Sequence, residues 1–144
     1  MSGEALLRDV PALAAEMDEE ALAELLELAA AADVEIVRGP RTGLVMMSCR
    51  DAFDCDFHLG EVLVSEAEVS CRGVAGYGMV AGGDPRRALA RAAAEAIVNG
   101  ADRLLKERLQ RLAVRAAKEL AERRAAEAAL TARTRVRFDL MPGS

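Results

Sequence analysis

Little in this chain can stack, ligate or oxidise. Of 144 residues only 3% are aromatic, and Trp is absent. His58 is the single histidine. The three cysteines, Cys49, Cys55 and Cys71, are odd in number and form no C-x-x-C pair. A disulfide framework, a zinc ribbon and a stand-alone zinc site are therefore not expected. No apolar run reaches the ~20 residues of a membrane span, and the start MSGEALLRDV lacks the basic and apolar regions of a signal peptide. The expectation is a cytoplasmic protein. With almost no aromatics to stack on bases, nucleic acid is not an expected partner.

What is present is aliphatic and charged. Apolar residues make up 52% of the chain, so a core is built from Leu, Val, Ala and Met, with Ala favouring helix. One domain over 1–144 is expected at this length. Charge is polarised: residues 1–84 carry a net −12 and residues 85–144 a net +7, which gives the total of −5. Either the halves attract within one fold or each faces a differently charged partner surface.

The pattern reads as α+β: N-terminal helices over 1–33, an antiparallel meander of about four strands over 34–82, two long helices over 84–132, and a short strand or tail over 133–144. Leu6 to Ala15 reads as a helix that Pro11 breaks or restarts. Asp18 is the N-cap of a second helix, with Glu19 and Glu20 in its first turn. Val34 to Val37 and Leu44 to Cys49 read as two strands separated by a Gly39-Pro40 turn. A third runs from Phe57 to Arg72, alternating in its second half but apolar on both faces at Val62, Leu63 and Val64. Tyr77 to Ala81 is the fourth. Asp84 caps and Pro85 opens a helix ending near Asn99-Gly100, and Asp102 starts another running to about Leu130. On this last helix Leu105, Leu109 and Leu112 form an apolar stripe that one small sheet does not cover, an expected partner surface together with Val62, Leu63 and Val64. Arg108, Arg111, Arg115 and Lys118 form a separate basic stripe, a solvated helix face or a surface for phosphates.

Two sets of residues carry possible chemistry. His58 could act as a general base oriented by Glu61. On a regular strand the two point to opposite faces unless Gly60 introduces a bulge; otherwise they are a surface histidine and a structural carboxylate. Gly82 and Gly83, at a helix N-terminus with Arg86 and Arg87 following, could hold a phosphate. The spacing is neither G-x-G-x-x-G nor a Walker motif, and Asp84 competes for the same N–H groups, so tight turns are the alternative. Cys49 and Cys71 fit small core residues. Cys55, in an acidic loop, is a poor nucleophile.

The ordered blocks Pro40-Arg-Thr-Gly43-Leu-Val-Met46, Phe57-His-Leu-Gly60-Glu61-Val, Gly76-Tyr77-Gly78 leading to Gly82-Gly-Asp84, the Ala-rich helix after them, and Thr134-Arg-Val136-Arg-Phe138 together resemble the PhnG family, the small subunit of the bacterial carbon–phosphorus lyase core complex. The resemblance covers the chain from about residue 5. It implies a subunit acting with PhnI, PhnH and PhnL to join a phosphonate to C1 of the ribose of ATP. Adenine leaves and ribose 1-phosphonate 5-triphosphate forms. It implies a core of PhnG, PhnH, PhnI and PhnJ, two copies of each. The nucleosidase chemistry belongs to PhnI, and the iron–sulfur cluster and SAM belong to PhnJ. ATP is then a substrate of the complex, and this chain alone holds no cofactor and has no stand-alone activity. No catalytic residue carries over. His58 stands where the family commonly has Asn. Three readings follow: a structural and activating subunit for PhnI; a stand-alone nucleotide-using enzyme with His58 and Glu61 as acid–base pair; and a module presenting Arg86 and Arg87 to a triphosphate.

Overall fold

The computed structural model describes residues 3–134. Helices α1 (Gly3–Ala14) and α2 (Glu19–Ala31) lead into strands β1 (Val34–Arg50), β2 (Asp56–Cys71) and β3 (Val74–Ala81). Helices α3 (Pro85–Asn99) and α4 (Arg103–Arg133) follow. The strands form one antiparallel sheet in the order β1-β2-β3. The fold class is the α+β meander flanked by helices that the periodicity predicts, with three strands in place of four. The closing segment expected as a strand or tail lies almost wholly outside the described residues.

The miscount has a local cause. Gly39-Pro40 reads as a turn, but it lies inside β1 with a cis peptide bond. The register with β2 slips between Ile36 and Arg38 and again between Arg38 and Arg41, so bulges absorb extra residues and the strand continues. An edge strand tolerates a proline, since a missing outward N–H breaks no ladder. The other connections are tight. Asp51 accepts hydrogen bonds from the N–H groups of Phe53 and Cys55 at the β1–β2 turn. Arg72 and Gly73, both with positive φ, link Cys71 to Val74, the signature of a two-residue type I′ hairpin.

Helix α1 runs through Pro11 without breaking. Val10 and Ala14 beside it are fully buried, and that packing outweighs the lost hydrogen bond. The expected caps are present: Asp18, Asp84 and Asp102 accept from the N–H groups of Ala21, Arg87 and Leu105.

Helix α3 is the centre of the molecule. Ala88, Ala90, Ala92, Ala93, Ala94, Ala96 and Ile97 are all essentially buried, because the sheet packs on one side and α1, α2 and α4 on the other. A helix buried nearly all round needs small side chains. On the sheet side the approach is closer still: a Cβ at Gly76 would lie 2.1 Å from the Ala92 carbonyl oxygen, and one at Gly78 would lie 2.2 Å from that of Ala88. Only glycine fits there.

Leu105, Leu109 and Leu112 correct an expectation. They are buried in the chain's own core, because α1 and α2 fold back onto the stripe of α4. The stripe needs no partner to cover it; the expectation that one small sheet leaves it open omits the N-terminal helices.

Candidate functional site

The sheet has two unlike halves. Where β3 is present, Ala67, Val69 and Cys71 face the helices and are buried, with Val80 from β3. The opposite face carries Arg41, Glu66 and Tyr77. Tyr77 Oη donates to Glu66 Oε2 at 2.8 Å and Arg41 Nε donates to Glu66 Oε1 at 2.6 Å. The tyrosine hydrogen bond, then the Arg41 contacts, hold the Glu66 carboxyl below its ordinary range; the same bond pushes the Tyr77 phenol up. Sequence reasoning missed this cluster, since only the β1–β2–β3 register brings its members together.

Beyond Ala81, which pairs with Val64, β1 and β2 continue alone as a two-stranded arm to the turn at Asp51–Cys55. From Leu44 to Arg50 it projects roughly 20 Å at the rise of a strand. Register and alternation put Leu44 and Met46 on one face with Leu63, and Val45 and Met47 on the other with Val62. Leu44, Met46 and Leu59 are all more than half exposed, and Phe53 at the tip is 86% exposed. The arm is thus apolar on both faces and uncovered on both. The sequence signal was available in Leu44-Val-Met-Met47, a run without alternation like Val62 to Val64. Of the expected patch 62–64, Leu63 is exposed, Val62 is half-buried and Val64 is buried opposite Ala81; the free apolar surface is larger and lies further toward the tip.

His58 and Glu61 are on this arm. The register slips between Met47 and Ser48, leaving Leu59 unpaired, and Gly60 has φ 137°. That bulge re-aims the strand, so His58 opposite Ser48 and Glu61 opposite Met46 share a face. The histidine nevertheless bonds Ser48: Oγ and Nδ1 are 2.9 Å apart. No hydrogen bond joins His58 to Glu61 among the described residues, and both are exposed.

The Gly82-Gly83 turn is occupied by the chain's own acids. Asp84 accepts from Arg87 N and from Arg87 Nε, each at 3.0 Å. Arg86 bonds Glu19 at 2.9 Å, and Arg87 also reaches Glu19 and the Met17 carbonyl oxygen. An anion would have to displace two carboxylates. Arg108, Arg111 and Arg115 of the basic stripe on α4 line an open groove of about 820 Å³ with Glu24, which Arg115 clamps at 2.6 and 2.7 Å. Cys71 is buried, Cys49 half-buried and Cys55 exposed, all as free thiols. Among the described residues no group of three or more His, Cys, Asp or Glu could hold a metal ion, and no helix is long and apolar enough to cross a membrane.

No curated protein matches this chain. The family model described as phosphonate metabolism protein PhnG matches residues 8–143, nearly the whole length. The chain therefore belongs to the PhnG family of phosphonate metabolism proteins.

Proposed function

We propose that this chain is a subunit of the carbon–phosphorus lyase core complex and that its task is to hold and order PhnI, with PhnH and PhnJ in the same core. With PhnI, PhnH and PhnL it takes part in forming ribose 1-phosphonate 5-triphosphate from ATP and a phosphonate, with release of adenine. Family membership supports the process. The observation that carries the role is the arm: a two-stranded ribbon, apolar on both faces, with Leu44, Met46 and Leu59 more than half exposed. An isolated hairpin is marginal in water, and exposed apolar surface of this kind marks an interaction site. It is a docking element waiting for protein on both sides.

Leu59→Asp and Leu63→Asp test this. Both side chains are exposed, so the isolated chain keeps its circular dichroism and its melting temperature while co-purification with PhnI and adenine release by the assembled proteins are lost. Unchanged co-purification of both variants removes the role. Adenine release by the pure chain, lost on His58→Ala, would instead establish the enzyme reading.

A further inference from the structure

The two edges of the sheet are treated differently. At β3 two outward main-chain groups are taken: Glu95 Oε2 accepts from Tyr77 N at 2.6 Å, and Arg91 Nη1 donates to the Met79 carbonyl oxygen at 3.0 Å, both from α3. At β1 nothing comparable reaches the main chain from outside the sheet among the described residues. Pro40 and the bulges blunt β1 near its base, but between Thr42 and Met47 the pairing with β2 is regular. The stretch Thr42–Cys49 carries no charge and is exposed throughout except at the half-buried Cys49. A long, uncharged, apolar edge with unpaired N–H and C=O groups is a template for another strand and an aggregation hazard if left open.

We propose that Thr42–Cys49 of β1 receives an extended segment of a different polypeptide, which adds to the sheet as a strand. The inference rests on the docking role above and names its mode. Charge decides against a second copy of this chain. From Ile36 to Arg50 the edge strand holds Arg38, Arg41 and Arg50 and no acid. A second copy would bring the same three arginines, and no acid from the same stretch, against this edge. Like charges gathered across a ladder destabilise it. Arg41 and Arg50 remain 61% and 62% exposed after pairing with Glu66 and Asp56, and guanidinium donors are left over. The fitting strand is uncharged and apolar in its middle, with carboxylates flanking it. Main-chain hydrogen bonds give the affinity and alternate side chains the selection.

Hydrogen exchange resolved to single amides, on the chain co-purified with PhnI and on the chain alone, tests the mode. Neighbouring residues of an edge strand point their N–H groups to opposite sides. In the free chain alternate amides of 42–49 exchange fast; in the complex all of them slow, the outward set by on the order of 100-fold. If the complex forms and the outward set keeps its free-chain rates, strand addition is wrong although the docking role stands. If no complex elutes, the docking role itself fails.

Proline gives an independent measurement. Of Val45→Pro and Met46→Pro, one removes a β1–β2 hydrogen bond and the other only an outward donor. The variant that keeps the free chain's circular dichroism is expected to lose PhnI, and its retention of PhnI overturns strand addition.

Discussion

The base of the molecule and its arm are made from the same two strands, yet they obey different rules. In the base, β2 alternates: Ala67, Val69 and Cys71 go to the helices, while Glu66 and Glu68 go to the open face. Ser65, the one buried polar residue among those described, bonds Thr42 and the Gly82 carbonyl oxygen. In the arm, alternation stops and apolar side chains stand on both faces without cover. The base satisfies itself and the arm does not. On the proposed docking role, stability and partner recognition fall to separate stretches of one hairpin, which makes them separable by mutation.

The largest effect is expected where α3 and β3 touch. Gly76→Ala puts a Cβ 2.1 Å from the Ala92 carbonyl oxygen and 2.7 Å from Ala96 N. Both are backbone atoms that cannot swing aside, so overpacking costs about 3 kcal/mol or more and the chain is expected to melt far below the parent or not to fold. A near-normal melting temperature would mean that α3 floats on the sheet, and the contrast with the arm would blur. Next comes Leu109→Ala, which empties a fully buried position on α4. A loss of about 2–5 kcal/mol in urea unfolding is expected, whereas Leu63→Asp on the arm stays within about 0.5 kcal/mol of the parent. Were Leu109→Ala neutral for folding and damaging for assembly, the apolar stripe of α4 would be a partner surface after all.

Much of the base was legible because its signals are local. The acids Asp18, Asp84 and Asp102 each cap the helix they precede, and 67–71 show the period of two that a half-buried strand requires. The strand count was lost at Gly39-Pro40, whose turn chemistry is indistinguishable from an edge bulge until the register with Glu66 to Val69 is seen. The surface role of Leu105, Leu109 and Leu112 was misread because burial by α1 and α2 is a contact across about a hundred residues of chain, which no window of sequence contains. For His58 and Glu61 the condition was readable, a bulge at Gly60, but not whether the side chains would then meet. The arm lies between these cases. Its unalternating runs are visible in the sequence, and which of them β3 covers is not.

The smallest effect probes the seam between α2 and α4. Asp18 caps α2 and faces Glu119 of α4. The Ala21 N–H, above all, holds the Asp18 carboxyl below its ordinary range, while the hydrogen bond with Asp18, aided by desolvation and by the charges of Asp18 and Glu20, pushes Glu119 up. The two shifts act in opposite directions with pH. An acid raised in the folded state adds stability below its unfolded pKa and loses that contribution as pH rises through the folded value. Glu119 therefore works against folding at neutral pH. Asp18, lowered, stabilises above its unfolded pKa and stops doing so as pH falls through its folded value. Glu119→Gln keeps a hydrogen bond to Asp18 and removes the repulsion, so its urea midpoint is expected to lie above the parent's at pH 7, with the gap closing toward pH 4. Asp18→Ala is expected to lose about 1 kcal/mol at pH 7 and less at pH 3. An advantage of Glu119→Gln that persists undiminished at pH 4 would place its origin in packing rather than in charge.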